Sequence, residues 1–69
     1  MYKSKLRELR LQNGYSQYQL AHISGVSFRM IQQYEEGHRD INGAKSITVW
    51  RLAKSLNCTM EDLVEPWKL

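Results

Sequence analysis

The sequence predicts a small all-α domain in which five short helices surround one core. Apolar residues recur at intervals of three and four, as they do along one face of a helix, and no stretch alternates as a strand would. The signature of a helix start occurs three times, and Gly25 separates two closely spaced helical segments. Because 69 residues suffice for one domain and no shift in composition divides them, we expect residues 1–69 to form a single domain.

The first predicted helix spans residues 3–12. Leu6 and Leu9 share one of its faces, and neither Gly nor Pro interrupts it. Gly14 follows at the position where a helix commonly ends in a left-handed residue.

Three further helices begin with a repeated pattern: an apolar residue, a hydroxyl residue, and a second apolar residue four positions after the hydroxyl. The hydroxyl residues are Ser16, Ser27 and Thr59. Each hydroxyl can accept a hydrogen bond from a free N–H of the first turn, while the apolar pair forms a hydrophobic staple. The pattern predicts helices over residues 17–24, 28–36 and 60–65.

The remaining helix is predicted over residues 45–57, after a loop of turn-forming residues at positions 38–43. Its apolar stripe consists of Val49, Leu52, Ala53 and Leu56. The last helix must end before Pro66, because proline disfavours helix in the residue that precedes it.

Composition argues against several functional classes. Cys58 is the single cysteine, so no internal disulfide forms, and with His22 and His38 it lacks the spacing of a zinc site. Neither histidine has an evident catalytic partner. The sequence therefore predicts no enzyme, metal, cofactor or small-molecule substrate. It contains no signal-like or membrane-spanning apolar run, so we expect a cytoplasmic protein.

The chain is mildly basic, with a net charge of +3, and its charges are unevenly distributed. Residues 1–14 carry four basic side chains and one acidic one. Residues 59–69 carry one basic side chain and three acidic ones, Glu61, Asp62 and Glu65. Because phosphate repels an acidic surface, we expect the C-terminal segment to face away from any nucleic acid.

The two predicted helices that meet at Gly25 make up a unit over residues 16–36. Two helices joined by a short glycine-containing turn can place the second helix in the major groove of DNA. The outer face of that helix suits base edges, since arginine can pair with guanine, glutamine with adenine, and phenylalanine with a thymine methyl. Polar residues there would also suit an ordinary solvated face, but an exposed phenylalanine favours the DNA interpretation. We assign base contacts to Phe28, Arg29, Gln32 and Gln33.

Five motifs follow one another along the chain: Leu6-Arg7-Glu8-Leu9-Arg10, Ser16-Gln17-x-x-Leu20-Ala21, Ser24-Gly25-Val26-Ser27, Ile31-x-x-Tyr34-Glu35-x-Gly37-x-Arg39, and Leu52-Ala53-Lys54-x-Leu56 through Glu61-Asp62-Leu63. In this order and spacing, residues 6–64 resemble the helix-turn-helix family of lambda-type phage repressors, Cro, and small bacterial regulators of the xenobiotic-response-element (XRE) type. The resemblance implies a five-helix lambda repressor-like fold. It also implies a transcriptional regulator, in the expected case a repressor, that binds double-stranded DNA.

The resemblance also implies roles for individual positions. Arg10 and Glu35 match a structural ion pair that joins the first helix to the third. It further implies that DNA phosphates are contacted by Gln17, Ser27, Arg39 and Lys45.

An antitoxin-like or adaptor module, whose main partner is another protein, is the alternative function. Four apolar residues outside the predicted core would form an exposed interface if they cluster. These possible dimer-interface residues are Ile47, Trp50, Trp67 and Leu69. Trp50 could instead cover the loop around Ile41. A homodimer is attractive for a DNA-binding protein, because one short helix reads only a few base pairs.

Overall fold

The computed structural model describes residues 2–69, in which four α-helices surround one core. The helices are α1 (Lys5–Gln12), α2 (Gln17–Ser24), α3 (Phe28–Glu36) and α4 (Ser46–Ser55). Three 3₁₀ turns lie at Ile41–Gly43, Glu61–Leu63 and Pro66–Lys68. Residues 2–69 contain no strand, so the predicted all-α class is confirmed.

The predicted fifth helix over residues 60–65 is wrong, because only the 3₁₀ turn Glu61–Leu63 forms there. Its start lies where the sequence indicates. The Thr59 hydroxyl accepts a hydrogen bond from the N–H of Asp62 at 3.2 Å, and the Asp62 carboxylate accepts one from the N–H of Thr59 at 2.9 Å. The chain therefore begins a helix at this point but does not continue it.

The turn ends early because the backbone that follows is held by another part of the chain. Val64 is extended, and the N–H of Glu65 donates to Asn42 Oδ1 at 2.8 Å instead of to a helical carbonyl. Asn42 Nδ2 in turn donates to the carbonyl of Glu65 at 3.0 Å. Pro66 reinforces the stop, since it disfavours helix in the preceding residue. The fold thus has four α-helices.

Hydroxyl caps set the starts of the first three helices. Ser16 and Ser27 each accept a hydrogen bond from the backbone N–H three residues later, at 3.0 and 3.1 Å. Ser4 is a further cap that the sequence analysis missed, and its hydroxyl accepts from the N–H of Arg7 at 3.1 Å. Because Ser4 is the cap, α1 begins at Lys5 and not at residue 3.

Helix α4 is shorter than the predicted span of residues 45–57. It ends at Ser55, two residues before Asn57, which takes a left-handed backbone conformation with φ of 54°. The N–H of Cys58 then bonds back to the carbonyl of Ala53 at 3.0 Å, which closes the last turn.

The core lies where all four helices meet. Helix α2 packs against both α3 and α4, while α1 packs against α3. The buried apolar residues are Leu6, Leu20, Val26, Ile31, Tyr34, Ile41, Val49, Leu52, Ala53, Leu56 and Leu63. This packing leaves the outer side of α3 and the first turn of α2 exposed beside each other.

The two ends of the described chain pack together. The hydroxyl of Tyr2 donates to Glu65 Oε1 at 2.5 Å, and the Lys68 ammonium lies 3.6 Å from the same oxygen. The ammonium of Lys3 lies 5.4 Å from the centre of the Trp67 ring. Glu65 is only 1% exposed, so the acidic surface expected at the C-terminal end is formed by fewer carboxylates than the sequence suggests.

Candidate nucleic-acid interface

Helix α3 separates a buried side from an outer side. The buried residues are Ile31, Tyr34 and Glu35. Helical periodicity places on the other side Phe28, Arg29, Gln32, Gln33 and Glu36. Arg29 is exposed, and the three other residues assigned to base contacts are half-buried. The four assigned residues therefore share one continuous helical face.

Glu36 belongs to this outer face, although the sequence analysis did not assign it a role. It is exposed, and its carboxylate lies 3.9 Å from Nε2 of His38. A carboxylate can accept a hydrogen bond from a cytosine amino group but is repelled by phosphate. Glu36 lies eight residues after Phe28, a spacing that puts both residues on the same side of a helix, so the sequence alone could have identified it.

The turn between α2 and α3 fixes where the outer face begins. Gly25 ends α2 in the left-handed region with φ of 73°, and its N–H donates to the carbonyl of Ala21 at 3.0 Å. The hydroxyl of Ser24 accepts from the N–H of Val26 at 3.1 Å, and Val26 is buried. Ser27 then caps α3. Its oxygen serves as the cap acceptor, while its hydroxyl proton can still be donated to a phosphate.

A buried ion pair between Arg10 and Glu35 joins α1 to α3. Arg10 Nε lies 2.7 Å from Glu35 Oε2, and Arg10 Nη2 lies 2.8 Å from Glu35 Oε1. Arg10 Nη1 also donates to the carbonyl of Tyr15 at 2.8 Å. The hydrogen bond to Glu35 is the main reason that the pKa of Arg10 is raised. Because the two side chains are only 9% and 2% exposed, the pair is a structural clamp beneath the outer face.

Gln17 begins α2 and contacts this clamp. Its Nε2 donates to Glu35 Oε1 at 3.1 Å, which orients the amide and leaves its second hydrogen free. The backbone N–H groups of the first helical turn have no acceptor within the helix, and the helix dipole favours an anion there. This end of α2 therefore offers several donors to one phosphate.

Arg39 lies beside the C-terminal half of α3. Its Nε donates to Gln33 Oε1 at 3.1 Å, so the carbonyl of that amide is occupied and its NH₂ group can act as a donor. Burial raises the pKa of Tyr34, and the positive charge of Arg39 partly offsets the effect. Lys45 is exposed at the residue before α4. Two basic side chains thus follow α3 along the chain.

The model of the helix-turn-helix family matches residues 6–63, most of the chain. The chain belongs to this family. The match is to the XRE and lambda-repressor type, which confirms the resemblance seen in the sequence. The protein is therefore a DNA-binding helix-turn-helix regulator. No curated protein and no solved structure matches the chain.

An aromatic pair lies where α2 and α3 of this helix-turn-helix protein begin. The rings of Tyr18 and Phe28 are parallel within 7°, and their centres are 4.1 Å apart. Tyr18 is 71% exposed. The sequence pattern does not reveal Tyr18, because helical spacing shows which residues share one helix face but not which rings meet across two helices.

The four possible dimer-interface residues of the helix-turn-helix domain are all exposed. Ile47 and Trp50 line one open groove of about 420 Å³ together with Met60. Trp50 is 48% exposed, and the ammonium of Lys54 lies 5.7 Å from the centre of its ring. Trp67 lies beside Lys3, where the chain ends pack together. Leu69, the fourth possible interface residue, is 87% exposed.

Residues 2–69 contain no group of three or more His, Cys, Asp or Glu side chains that could hold a metal ion. Cys58 is half-buried, and its pKa is raised by burial and, to a lesser extent, by the nearby Asp62. Its thiol is therefore held in the protonated form. None of the helices between residues 2 and 69 is long and apolar enough to cross a membrane.

Proposed function

We propose that the protein is a sequence-specific transcriptional repressor that binds double-stranded DNA as a homodimer and inserts α3 into the major groove. The outer face of α3 is the observation that carries the proposal. One side of this capped helix carries a guanidinium group, two amides and an apolar ring. They belong to Arg29, Gln32, Gln33 and Phe28, in that order. We place this activity in the bacterial cytoplasm, and we assign the protein no catalytic role.

The proposed base contacts follow from the chemistry of the four side chains. Arg29 is exposed and can donate both hydrogen bonds that guanine accepts in the major groove. Gln32 carries the donor and acceptor that match adenine, whereas Gln33, whose carbonyl accepts from Arg39, offers its NH₂ group to a base acceptor. Phe28 offers an apolar surface to a thymine methyl. Together they read base identity, while other residues set the register of the helix.

The proposed phosphate contacts surround this face. Gln17 and the free N–H groups of α2 bind one phosphate, and the hydroxyl of Ser27 lies at the start of α3. Arg39 and Lys45 contribute positive charge after the helix. Because these groups bind a repeated backbone, they position the protein without distinguishing sequences.

The homodimer is proposed on two grounds. A helix with four base-reading residues specifies only a short half-site, and two half-sites one helical turn apart multiply that specificity. Ile47 and Trp50 also expose an apolar surface around a groove on α4, which supports an interface between two copies. A dimer bound across a promoter represses by occupying it.

Selection of bound sequences from a random pool of duplex DNA tests the proposal. We expect a palindromic site whose half-site centres lie about 10 base pairs apart, bound with an affinity that falls steeply as salt rises. Arg29→Ala should relax the preference at one base position, whereas Gln17→Ala should weaken binding to every sequence. Arg51→Ala, at an exposed arginine of α4, is the matched control. A pool that yields no enriched sequence would contradict the proposal.

An adaptor or antitoxin-like module remains the second candidate, favoured by the exposed Ile47 and Trp50. It predicts that the Arg29 and Gln17 variants bind DNA as the wild type does. Under the same interpretation, Trp50→Ala would abolish a complex with another protein. Measuring both properties on the same three variants separates the two functions.

A further inference from the structure

We propose that Tyr18 is a positioning residue that holds Phe28 against the C5-methyl group of one thymine in the binding site. This inference rests on the proposed function and adds a residue of α2 to the sequence-reading surface. It also commits the pair to one chemical feature of DNA, a single methyl group in the major groove.

The stack carries the inference because a mainly exposed ring has little other reason to be ordered. The two rings lie face to face at 4.1 Å, yet 71% of the Tyr18 side chain and backbone remains accessible to water. A tyrosine packed for stability would bury most of its area and satisfy its hydroxyl within the protein. The arrangement of Tyr18 instead covers one face of Phe28 and leaves the tyrosine itself at the surface.

Both rings are mounted on capped first turns, so their separation is well defined. Tyr18 lies within a capping box in which Ser16 and Gln19 exchange hydrogen bonds at 2.7 and 3.0 Å. Phe28 directly follows Ser27, which caps α3. An unsupported phenylalanine at a helix start can occupy several rotamers. The flat face of Tyr18 restricts that choice and fixes the part of the Phe28 ring that α3 presents to a base.

The apolar character of the Phe28 ring favours contact with a methyl group of the DNA. Phe28 has no hydrogen-bonding group, so it cannot pair with the donors and acceptors that distinguish the other base edges. Thymine presents a C5-methyl in the major groove, and apolar side chains contact it. A ring held in one orientation loses less conformational freedom on making that contact than a mobile ring does. Tyr18 therefore sharpens the preference for thymine without touching the base.

Replacement of thymine by deoxyuridine isolates the proposed contact, because it removes the methyl group and leaves every hydrogen-bonding group unchanged. Each thymine of the selected site is replaced in turn, and affinities are measured for the wild type and for Tyr18→Ala, Tyr18→Phe and Phe28→Ala. Leu11→Ala, which truncates an exposed apolar residue of α1, is the matched control. Urea unfolding verifies that each variant is folded.

For the wild type we expect one position at which deoxyuridine weakens binding about fourfold, because the complex then loses the free energy gained by burying one methyl-sized group. Phe28→Ala should bind both duplexes equally, and Tyr18→Ala should lose most of the discrimination. Tyr18→Phe and Leu11→Ala should retain it, because the first keeps the stacked ring and the second leaves the pair intact.

Two results would overturn the inference. Wild-type protein that tolerates deoxyuridine at every position makes no methyl contact, although its selected site still supports the proposed function. Tyr18→Ala that keeps the wild-type ratio shows that the stack does not position Phe28. A uniform loss of affinity on all duplexes is one form of this second result, because it leaves the ratio between thymine and deoxyuridine duplexes unchanged. Failure to select any site is a different result, since it refutes the proposed function itself.

Discussion

The carboxylate of Glu35 joins three helices, because it pairs with Arg10 of α1 and accepts a hydrogen bond from Gln17 of α2. Glu35 itself lies on the buried side of α3, directly beneath the face assigned to base contacts. The orientation of that face relative to α1 and α2 therefore depends on a charged group in the interior.

Removal of one partner of this pair should be strongly destabilising. Arg10→Ala leaves the Glu35 carboxylate buried without its main donor, and the expected loss is about 3–5 kcal/mol of unfolding free energy. Such a loss is a large share of the roughly 5–15 kcal/mol typical of a folded domain. Urea unfolding followed by circular dichroism measures it, with Arg29→Ala as a control at an exposed arginine of α3.

A double variant separates the effect of losing the ion pair from the cost of leaving one of its charges buried and unpaired. Arg10→Met with Glu35→Leu removes both charges, so it should unfold at a higher urea concentration than Arg10→Ala does. Arg29→Ala should change the unfolding free energy by no more than about 0.5 kcal/mol. Equal midpoints for Arg10→Ala and Arg29→Ala would show that the ion pair contributes nothing to stability.

Gly37 should tolerate substitution poorly for two independent reasons. Its φ of 80° lies in the left-handed region, where alanine costs roughly 1–2 kcal/mol. A Cβ added there would also lie 2.5 Å from Cδ1 of Tyr2. We expect Gly37→Ala to lower the urea midpoint more than Gly14→Ala, because Gly14 has a similar φ of 75° and open space around it.

Truncation of Tyr2 isolates the steric part of this effect. In a Tyr2→Ala background the ring is absent, so Gly37→Ala and Gly14→Ala should then cost similar amounts of unfolding free energy. A difference between the two glycines that persists without the ring would assign the cost to some other feature of Gly37.

Local chemistry explains which parts of the fold the sequence predicts. The caps at Ser16, Ser27 and Thr59 were predicted correctly because each hydroxyl oxygen accepts from a backbone N–H only three residues later. Ser4 was missed since no apolar residue precedes it directly, although it caps α1 in the same way. Helix ends that depend on residues far away in the chain cannot be predicted from the local sequence.

The predicted fifth helix shows that limit. Its termination depends on Asn42, which lies 23 residues before Glu65 and bonds to both its N–H and its carbonyl. The assigned base-contact face of α3 follows from periodicity alone. Periodicity does not predict contacts between side chains on different secondary-structure elements. Neither the Tyr18–Phe28 stack nor the hydrogen bond from Arg39 to Gln33 leaves a pattern in the sequence.

The capping box of Thr59 and Asp62 should make stability depend on pH. Hydrogen bonds from Thr59 lower the pKa of Asp62 below its ordinary value. The folded state therefore binds a proton less readily than the unfolded state, whose pKa is about 3.9. The stabilisation is complete above that unfolded value and is lost as the pH falls through the folded one. Thermal midpoints of wild type and Asp62→Asn should converge toward low pH, whereas a pH-independent difference would contradict this assignment.

Arg39 should influence base preference as well as general affinity, because its Nε holds the Gln33 amide in one orientation. Arg39→Ala should reduce the slope of log affinity against log salt by about one and also relax the preference at one base position. Lys45→Ala, at an exposed lysine with no such bond among the described contacts, should reduce the slope alone. Gln33→Ala should relax the same base position as Arg39→Ala. Affinities for the selected site and its single-base variants measure both effects, and an Arg39→Ala protein with unchanged base preferences would show that the hydrogen bond does not orient Gln33.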